Sequence, residues 1–442
     1  MTTQDLKDDA RRLLEDNILS FWLDHMVDYE HGGFYGRIDG RGQLYPESEK
    51  GAILNARILW AFSAAYRYFS HEANEPHIPQ QYLEAATRAK RYLIDHFIDH
   101  EYGGVYWSVD YLGRPLDTKK QFYAIGFAIY GLSEYARATG DHEALDYALQ
   151  LFDSIEQHAF DHQHNGYIEA CTREWGEIAD MRLSELDANY PKSQNTHLHI
   201  IEPYTNLLRC LKEMQRHVAC NYVPVLGAVL PMDIAVPPET LIQVETALRN
   251  LINIFTDHIL NPETHHLDLF FEMDWTRGAG HLESYGHDIE CSWLLHEAAL
   301  VLGDQKVLAK VEPIVRMVAK ASEKGLRPDG SMIHEAHLAT PSGTAANLTS
   351  DEVDDDLHWW VQAENVVGWL NLYQYFSDRQ ALAKALRCYQ YIKDYLVDWE
   401  NGEWYWSRHA DGTLNLDDDK AGFWKCPYHN SRMCLEILER PL

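Results

Sequence analysis

Long apolar runs are missing from this 442-residue chain, and no stretch approaches the roughly 20 consecutive apolar residues that a bilayer-spanning helix requires. The opening Met1-Thr2-Thr3-Gln4-Asp5 has neither the basic nor the apolar region of a secretory signal, so a cytoplasmic location is expected. Positive charge is also scarce. Lysine and arginine total 38 against 68 aspartates and glutamates, a formal net charge of -30 without a basic block, which argues against nucleic acid and anionic membranes as partners. The seven cysteines form an odd set with no CxxC spacing, a pattern that fits scattered reduced thiols and not a disulfide framework or a zinc site.

What is present is apolar and aromatic bulk. At 46% hydrophobic and 12% aromatic residues the chain can bury a large core, and its length allows one to three domains. A Gly-aromatic turn recurs along it: His31-Gly32-Gly33-Phe34-Tyr35, Tyr102-Gly103-Gly104-Val105-Tyr106 and His164-Asn165-Gly166-Tyr167. Weaker forms stand at Thr264-His265-His266-Leu267 and Pro328-Asp329-Gly330-Ser331, and a clear one at Asn401-Gly402-Glu403-Trp404-Tyr405, which makes six. The first three stand at similar spacing, which is the signature of an internal repeat.

Between turns there is room for two helices, one amphipathic, such as Tyr82 to His96, and one apolar on nearly every side, such as Phe122 to Tyr135. A helix that is apolar all round must be buried. Six of each suit an all-α fold, an (α/α)6 barrel with short β-hairpins at its rim, spanning residues 1–442 as a single domain. An open α-solenoid is the alternative, but it would leave the apolar helices without cover. Two stretches interrupt the pattern. Residues 216–240 read as an inserted loop, and Ala336 to Asp356, ending in Asp351-Glu352-Val353-Asp354-Asp355-Asp356, reads as a solvated acidic loop whose spacing matches no calcium loop.

Polar groups set into the apolar helices are the candidates for chemistry. In Tyr285 to Leu295, His287 and Glu290 share a helix face with Trp293 one step further along. A histidine satisfied within the core is the competing reading of such a pair. Arg57 sits in the apolar run Ala52 to Trp60; it needs either a structural carboxylate or a place on the cup wall, and the second is favoured. His197 and His199 are two apart, so only one of them can face the cup. Trp360 and Glu364 lie one turn apart, and Trp424 precedes His429 at the start of the last helix, where a helix N-terminus would hold an imidazole neutral. Indoles that stack on sugar rings, together with carboxylates that grip hydroxyls, suggest a carbohydrate pocket with acid-base capacity.

The segments His31 to Asp39, Gly51 to Ser63, Tyr102 to Trp107, Gln121 to Tyr130, Asn195 to Glu202, Tyr285 to Trp293, Trp359 to Gly368 and Trp424 to Glu436 resemble the acylglucosamine 2-epimerase superfamily, and within it the cellobiose 2-epimerases. The resemblance runs from Trp22 to Glu439. It implies an enzyme free of cofactor and metal that inverts C2 of an aldose, with His287 and His429 as the general acid/base pair and His199 assisting ring opening. By the same resemblance Arg57, Tyr123, Asn195, Glu290, Trp293, Trp360, Glu364 and Trp424 contact substrate, and His197 is structural. The expected partner is a small carbohydrate, the expected assembly a monomer or homodimer. A C2 proton is acidic only in the open-chain aldehyde, so such an enzyme must first open the ring, then remove the proton and return one on the opposite face. The alternatives are a monosaccharide D-mannose/D-glucose epimerase, should residues 216–240 cover the mouth; an inverting glycosidase using Glu290 and Glu364; a metal-dependent isomerase; and a binding protein without catalysis.

Overall fold

The protein is seen here in a computed structural model that describes residues 2–70, 80–185, 187–220, 237–278, 282–337 and 353–442. Helix α1 (Thr3–Arg12) passes through a π-helical stretch, Leu13–Leu19, into α2 (Ser20–His25). Five helix pairs follow: α3 (Ala52–Ser70) and α4 (Gln80–Tyr92), α5 (Phe122–Thr139) and α6 (His142–His158), α7 (Gln194–Cys220) and α8 (Pro238–Ile254), α9 (Tyr285–Leu302) and α10 (Gln305–Ser322), and α11 (Trp359–Phe376) and α12 (Arg379–Tyr395). Helix α13 (His429–Glu439) completes the chain.

The odd-numbered helices from α3 to α13 form a closed inner ring, each packing on the next, with α13 returning to α3. Around it stand α4, α6, α8, α10 and α12, with α1 against α13. The sequence dictates which helix goes where. Every residue of α5 from Phe122 to Ala136 is buried, whereas α6 buries only the stripe Ala144, Leu145, Ala148, Leu151, Phe152 and Ile155. A helix with one apolar stripe has one face to cover; a helix apolar all round needs neighbours on every side. The expected (α/α)6 barrel is therefore present and closed.

The two ends of the barrel are built differently. At one end the inner helix turns at once into the outer one: Gly140, Gly303 and Ser377 take left-handed conformations, and Asp141, Asp304 and Asp378 cap the next helix through backbone N–H groups. At the other end lie the six recurrent turns. Each closes with one antiparallel bridge, Val27 to Phe34, Ile98 to Val105, Phe160 to Tyr167, Leu260 to Leu267, Leu326 to Met332 and Val397 to Trp404, so the two weaker sequence echoes are structural equivalents of the other four. Short hairpins then lead into the N-termini of the inner helices.

A feature without a sequence signal of its own anchors these turns. Lys50, Lys120 and Lys192, fully buried just before α3, α5 and α7, bond Asp28, Asp99 and Asp161 at 2.7, 2.9 and 2.8 Å, and Lys420 pairs with Asp398 in the same way. The other carboxylate oxygen of Asp28 accepts the N–H groups of Glu30 and His31, and its counterparts do likewise. Burial opposes ionisation of Asp398, yet the lysine and backbone donors hold its pKa down at about 2.

The two interruptions differ from expectation. Residues 216–220 continue α7 and 238–240 begin α8, so helix occupies both ends of the proposed 216–240 insertion; residues 221–236 lie outside the described residues. The stretch expected as a solvated acidic loop contributes paired strands, Glu335–His337 against Val353–Asp354, while 338–352 lie outside the described residues. Asp354, partly exposed, is held there by a hydrogen bond with His334. Replacing Asp28 by Ala strands the buried Lys50 and two turn N–H groups. A loss of about 3–5 kcal/mol is expected, read by denaturant unfolding, against a change below roughly 0.5 kcal/mol for Asp417→Ala at the exposed Arg41 pair.

Candidate active site

The hairpin end of the barrel opens into a cavity of about 420 Å³. Its polar floor comes from the first two turns of the inner helices: Arg57 of α3, Tyr123 of α5, Asn195 and His199 of α7, His287 and Glu290 of α9, Trp360 of α11 and His429 of α13, with Trp424 from the loop before α13. Convergent helix N-termini add partial positive charge at this end, favourable for an oxyanion.

His429 is the best-supported imidazole. Its Nδ1 lies 2.7 Å from Glu364 Oε1. Glu364 is fully buried; burial raises its pKa, but Arg432 and His429 outweigh that and bring it down to about 2. An ionised carboxylate only accepts hydrogen bonds, so Nδ1 carries the hydrogen and the Nε2 lone pair is free. Burial drives the His429 pKa down to about 3 against the opposing pull of Glu364. Desolvation is the largest cause, reinforced by the charges of Arg432 and Arg57.

His199 repeats the arrangement, with Nδ1 3.0 Å from Glu202 Oε2. His287 differs: its Nδ1 faces the Ser284 hydroxyl at 2.8 Å, and burial together with the neighbouring histidines holds its pKa well below the usual imidazole value. The rings of His287 and His429 pack on one indole, Trp360, at 4.9 and 5.7 Å. His197 faces away from the cavity. Its Nδ1 meets Ser193 O at 2.6 Å and its Nε2 accepts the Tyr167 N–H at 2.9 Å, so both nitrogens are used within the fold.

Arg57 is 3% exposed and has no carboxylate partner among the described residues. It donates to Tyr123 Oη at 2.8 Å and lies over the rings of Phe127 and Tyr428 at 4.0 and 4.6 Å. Its Nε and the Asn195 Oδ1 are buried without a protein partner. Two expected substrate contacts are displaced. Trp293 and Glu364 are 1% and 0% exposed and stand behind the wall, where the Trp293 Nε1–H donates to Glu364 Oε2 at 2.9 Å. In this structure neither lines the cavity, and Glu364 links the Trp293 indole to the His429 ring.

The residue sequence reasoning missed is Arg432. Its Nη2 donates to Glu290 Oε1 and Glu364 Oε1, both at 2.7 Å, and its Nη1 bonds Glu202 and Tyr428. The available signal was an arginine three residues after His429 inside an apolar helix, the reasoning that had singled out Arg57. Burial and the nearby Glu364 charge push the Glu290 carboxyl well above the usual range, and its Oε2 is buried without a partner. The wall thus holds two cations, Arg57 and Arg432, two carboxylates held ionised, Glu202 and Glu364, and the Glu290 carboxyl with its pKa raised. Glu290, Glu364 and His429 offer atoms within 4.8 Å of one another, closer than the roughly 6.5–9.5 Å that an inverting glycosidase leaves for water. Arg432 already supplies the cation between the two carboxylates. Glu169, also overlooked, lines the cavity with its pKa raised by burial to about 7.

The profile of N-acylglucosamine 2-epimerase (GlcNAc 2-epimerase) matches residues 33–202 and 243–432. The chain belongs to the N-acylglucosamine 2-epimerase family. Within this epimerase family it is 55% identical over 433 residues to a cellobiose 2-epimerase of Bacteroides fragilis, covering 98% of both chains. It is 35% identical to one from Ruminococcus albus, again over 98% of each. The structure of cellobiose 2-epimerase from Bacillus thermoamylovorans superposes with a TM-score of 0.83 at 37% identity, covering 99% of both chains. A GH76 α-mannanase of Bacteroides thetaiotaomicron, 11% identical with a TM-score of 0.56, shares the fold alone. The chain is accordingly a carbohydrate epimerase, an isomerase.

His197 is fully buried and its pKa is lowered to about 4, chiefly by burial. The unfolded chain, with an imidazole pKa of about 6.5, therefore binds a proton that the folded one refuses as pH falls from 6.5 towards 4. Relative to His197→Gln, the parent is expected to lose about 1.4 kcal/mol per pH unit in that window, measured by urea unfolding. Parallel pH profiles would show that His197 is not held neutral.

Proposed function

We propose that this epimerase interconverts gluco and manno configurations at C2 of the reducing-end aldose of β-1,4-linked disaccharides, converting cellobiose to glucosyl-mannose through a cis-enediolate. The observation that carries the reading is the packing of two imidazoles, His287 and His429, on Trp360 within one cavity. The 55% identical relative named for cellobiose supports the substrate.

After ring opening, assisted by His199 with Glu202 behind it, one imidazole removes the C2 proton and the other, carrying a proton, returns it from the opposite face. His429 is the stronger base of the two, since Glu364 stabilises its imidazolium while His287 has only a hydroxyl behind it. Arg57, with no carboxylate partner, is free to offset the charge that grows on O1 and O2. Asn195 and Glu290 offer hydrogen bonds to sugar hydroxyls, and Trp360 and Trp424 offer apolar faces. No step assigned here draws on a cofactor or a metal. A small carbohydrate is the proposed partner; the cytoplasm is the proposed location.

Incubating EDTA-treated protein separately with cellobiose and D-mannose in D2O is expected to give glucosyl-mannose from cellobiose, with deuterium at C2. Turnover of D-mannose alone would replace this reading with the monosaccharide one, and release of glucose would replace it with hydrolysis. Glu364→Gln presents an amide N–H to His429 Nδ1 and shifts the imidazole to the tautomer without a free Nε2 lone pair. The kcat is expected to fall about 10²–10⁴-fold with KM little changed. A change of less than threefold in a folded variant would remove Glu364 from the mechanism.

A further inference from the structure

Three side chains at the mouth of the cavity take no part in the chemistry above. His334 precedes the strand Glu335–His337, Asp354 ends the facing strand, and His358 stands immediately before α11. The Nδ1 of His334 lies 2.7 Å from Asp354 Oδ2, and the Nε2 of His358 lies 3.8 Å from the same oxygen. The two imidazoles stack at 4.3 Å with 13° between their planes. One ligand atom from each of the three residues lies within 4.8 Å of the others, and all three side chains are partly open to solvent.

We propose that His334, Asp354 and His358 form a binding site for a divalent transition-metal ion, and that an ion held there obstructs entry to the cavity. Two imidazole nitrogens and one carboxylate oxygen are the donor set of zinc, cobalt, nickel or copper, not of calcium or magnesium. Donors about 2.0–2.2 Å from a tetrahedral ion are roughly 3.3–3.6 Å apart, and the two distances here straddle that spacing. Loading requires the hydrogen shared by His334 and Asp354 to leave, and one of the near-parallel rings to turn about its Cβ–Cγ bond so that both lone pairs meet the ion.

The surroundings favour a cation. Glu335 lines the same mouth, while Asp355 and Asp356, next in the chain after Asp354, are paired with Arg327 and His409. The other cluster with suitable donors, Glu290, Glu364 and His429, already has Arg432 bonded to both of its carboxylates. His334 meets the edge of Trp360 at 5.6 Å, so an ion at the mouth sits one ring away from His287 and His429, in the path of an entering sugar. The site is separate from the catalytic reading: metal binding can be measured without any sugar, whereas the obstruction rests on the proposed function.

The test titrates EDTA-stripped, full-length protein with CoCl2, following visible absorption and heat, for the parent, His334→Gln, Asp354→Asn and His358→Gln. One saturable site is expected in the parent, weakened at least tenfold in each variant that retains the parent's circular dichroism. Epimerisation by the parent is expected to fall in step with occupancy. His334→Gln, compared with its own metal-free rate, is expected to lose that dependence. Cobalt binding that is absent in the parent, or unchanged in the folded variants, would overturn the site. Full occupancy without loss of rate would overturn the obstruction.

Discussion

One guanidinium holds the reactive end of this barrel together. Arg432 on α13 bonds Glu202 of α7, Glu290 of α9 and Glu364 of α11, and it lies over the Trp293 and Tyr428 rings at 4.7 and 4.3 Å. Four of the six inner helices are thereby joined through one buried group. A buried ion pair contributes little net stability compared with an apolar substitute, but removing one partner leaves an uncompensated charge and is costly. The arrangement therefore fixes geometry more than it adds stability, and that geometry sets the protonation states of the site.

Those states follow from the distribution of charge. Arg432 keeps Glu202 and Glu364 ionised, and each ionised carboxylate fixes the tautomer of a histidine, His199 or His429. Burial and the neighbouring Glu364 charge push the Glu290 carboxyl the other way, well above its usual range. Burial keeps the imidazoles neutral, the state a base requires. The buried Lys–Asp pairs under the hairpin turns serve the same end of the molecule mechanically, because they hold the rim from which the inner helices start.

How much could be read in advance depended on the range of the interaction. The six turns, the alternation of amphipathic and all-apolar helices, and the polar intruders Arg57, His199, His287, Glu290, Trp360 and His429 are local patterns, visible within a few turns of helix. Arg432 went unnoticed because its partners lie up to 230 residues away, and its place in the last helix hinted at burial without saying against what. The Lys–Asp pairs were missed for a similar reason: lysine just before an apolar helix reads as a solvated flank until its aspartate is brought beneath it. Trp293 and Glu364, expected at the cavity, stand one layer behind its lining in this structure. Helical spacing tells which face a residue occupies, but not how deep the cavity cuts into that face.

The sequence by itself determined the sixfold helical-pair architecture, because hydrophobic periodicity and turn chemistry act between near neighbours and leave an all-apolar helix no place but the inside. It also determined which residue types were available for proton transfer. Only the tertiary structure decided which nitrogen of His429 is free, which carboxyl has its pKa raised, and which indole lies between the two imidazoles. Those properties depend on desolvation and on charges brought together by the closure of the ring, and neither exists until the distant segments of the chain meet.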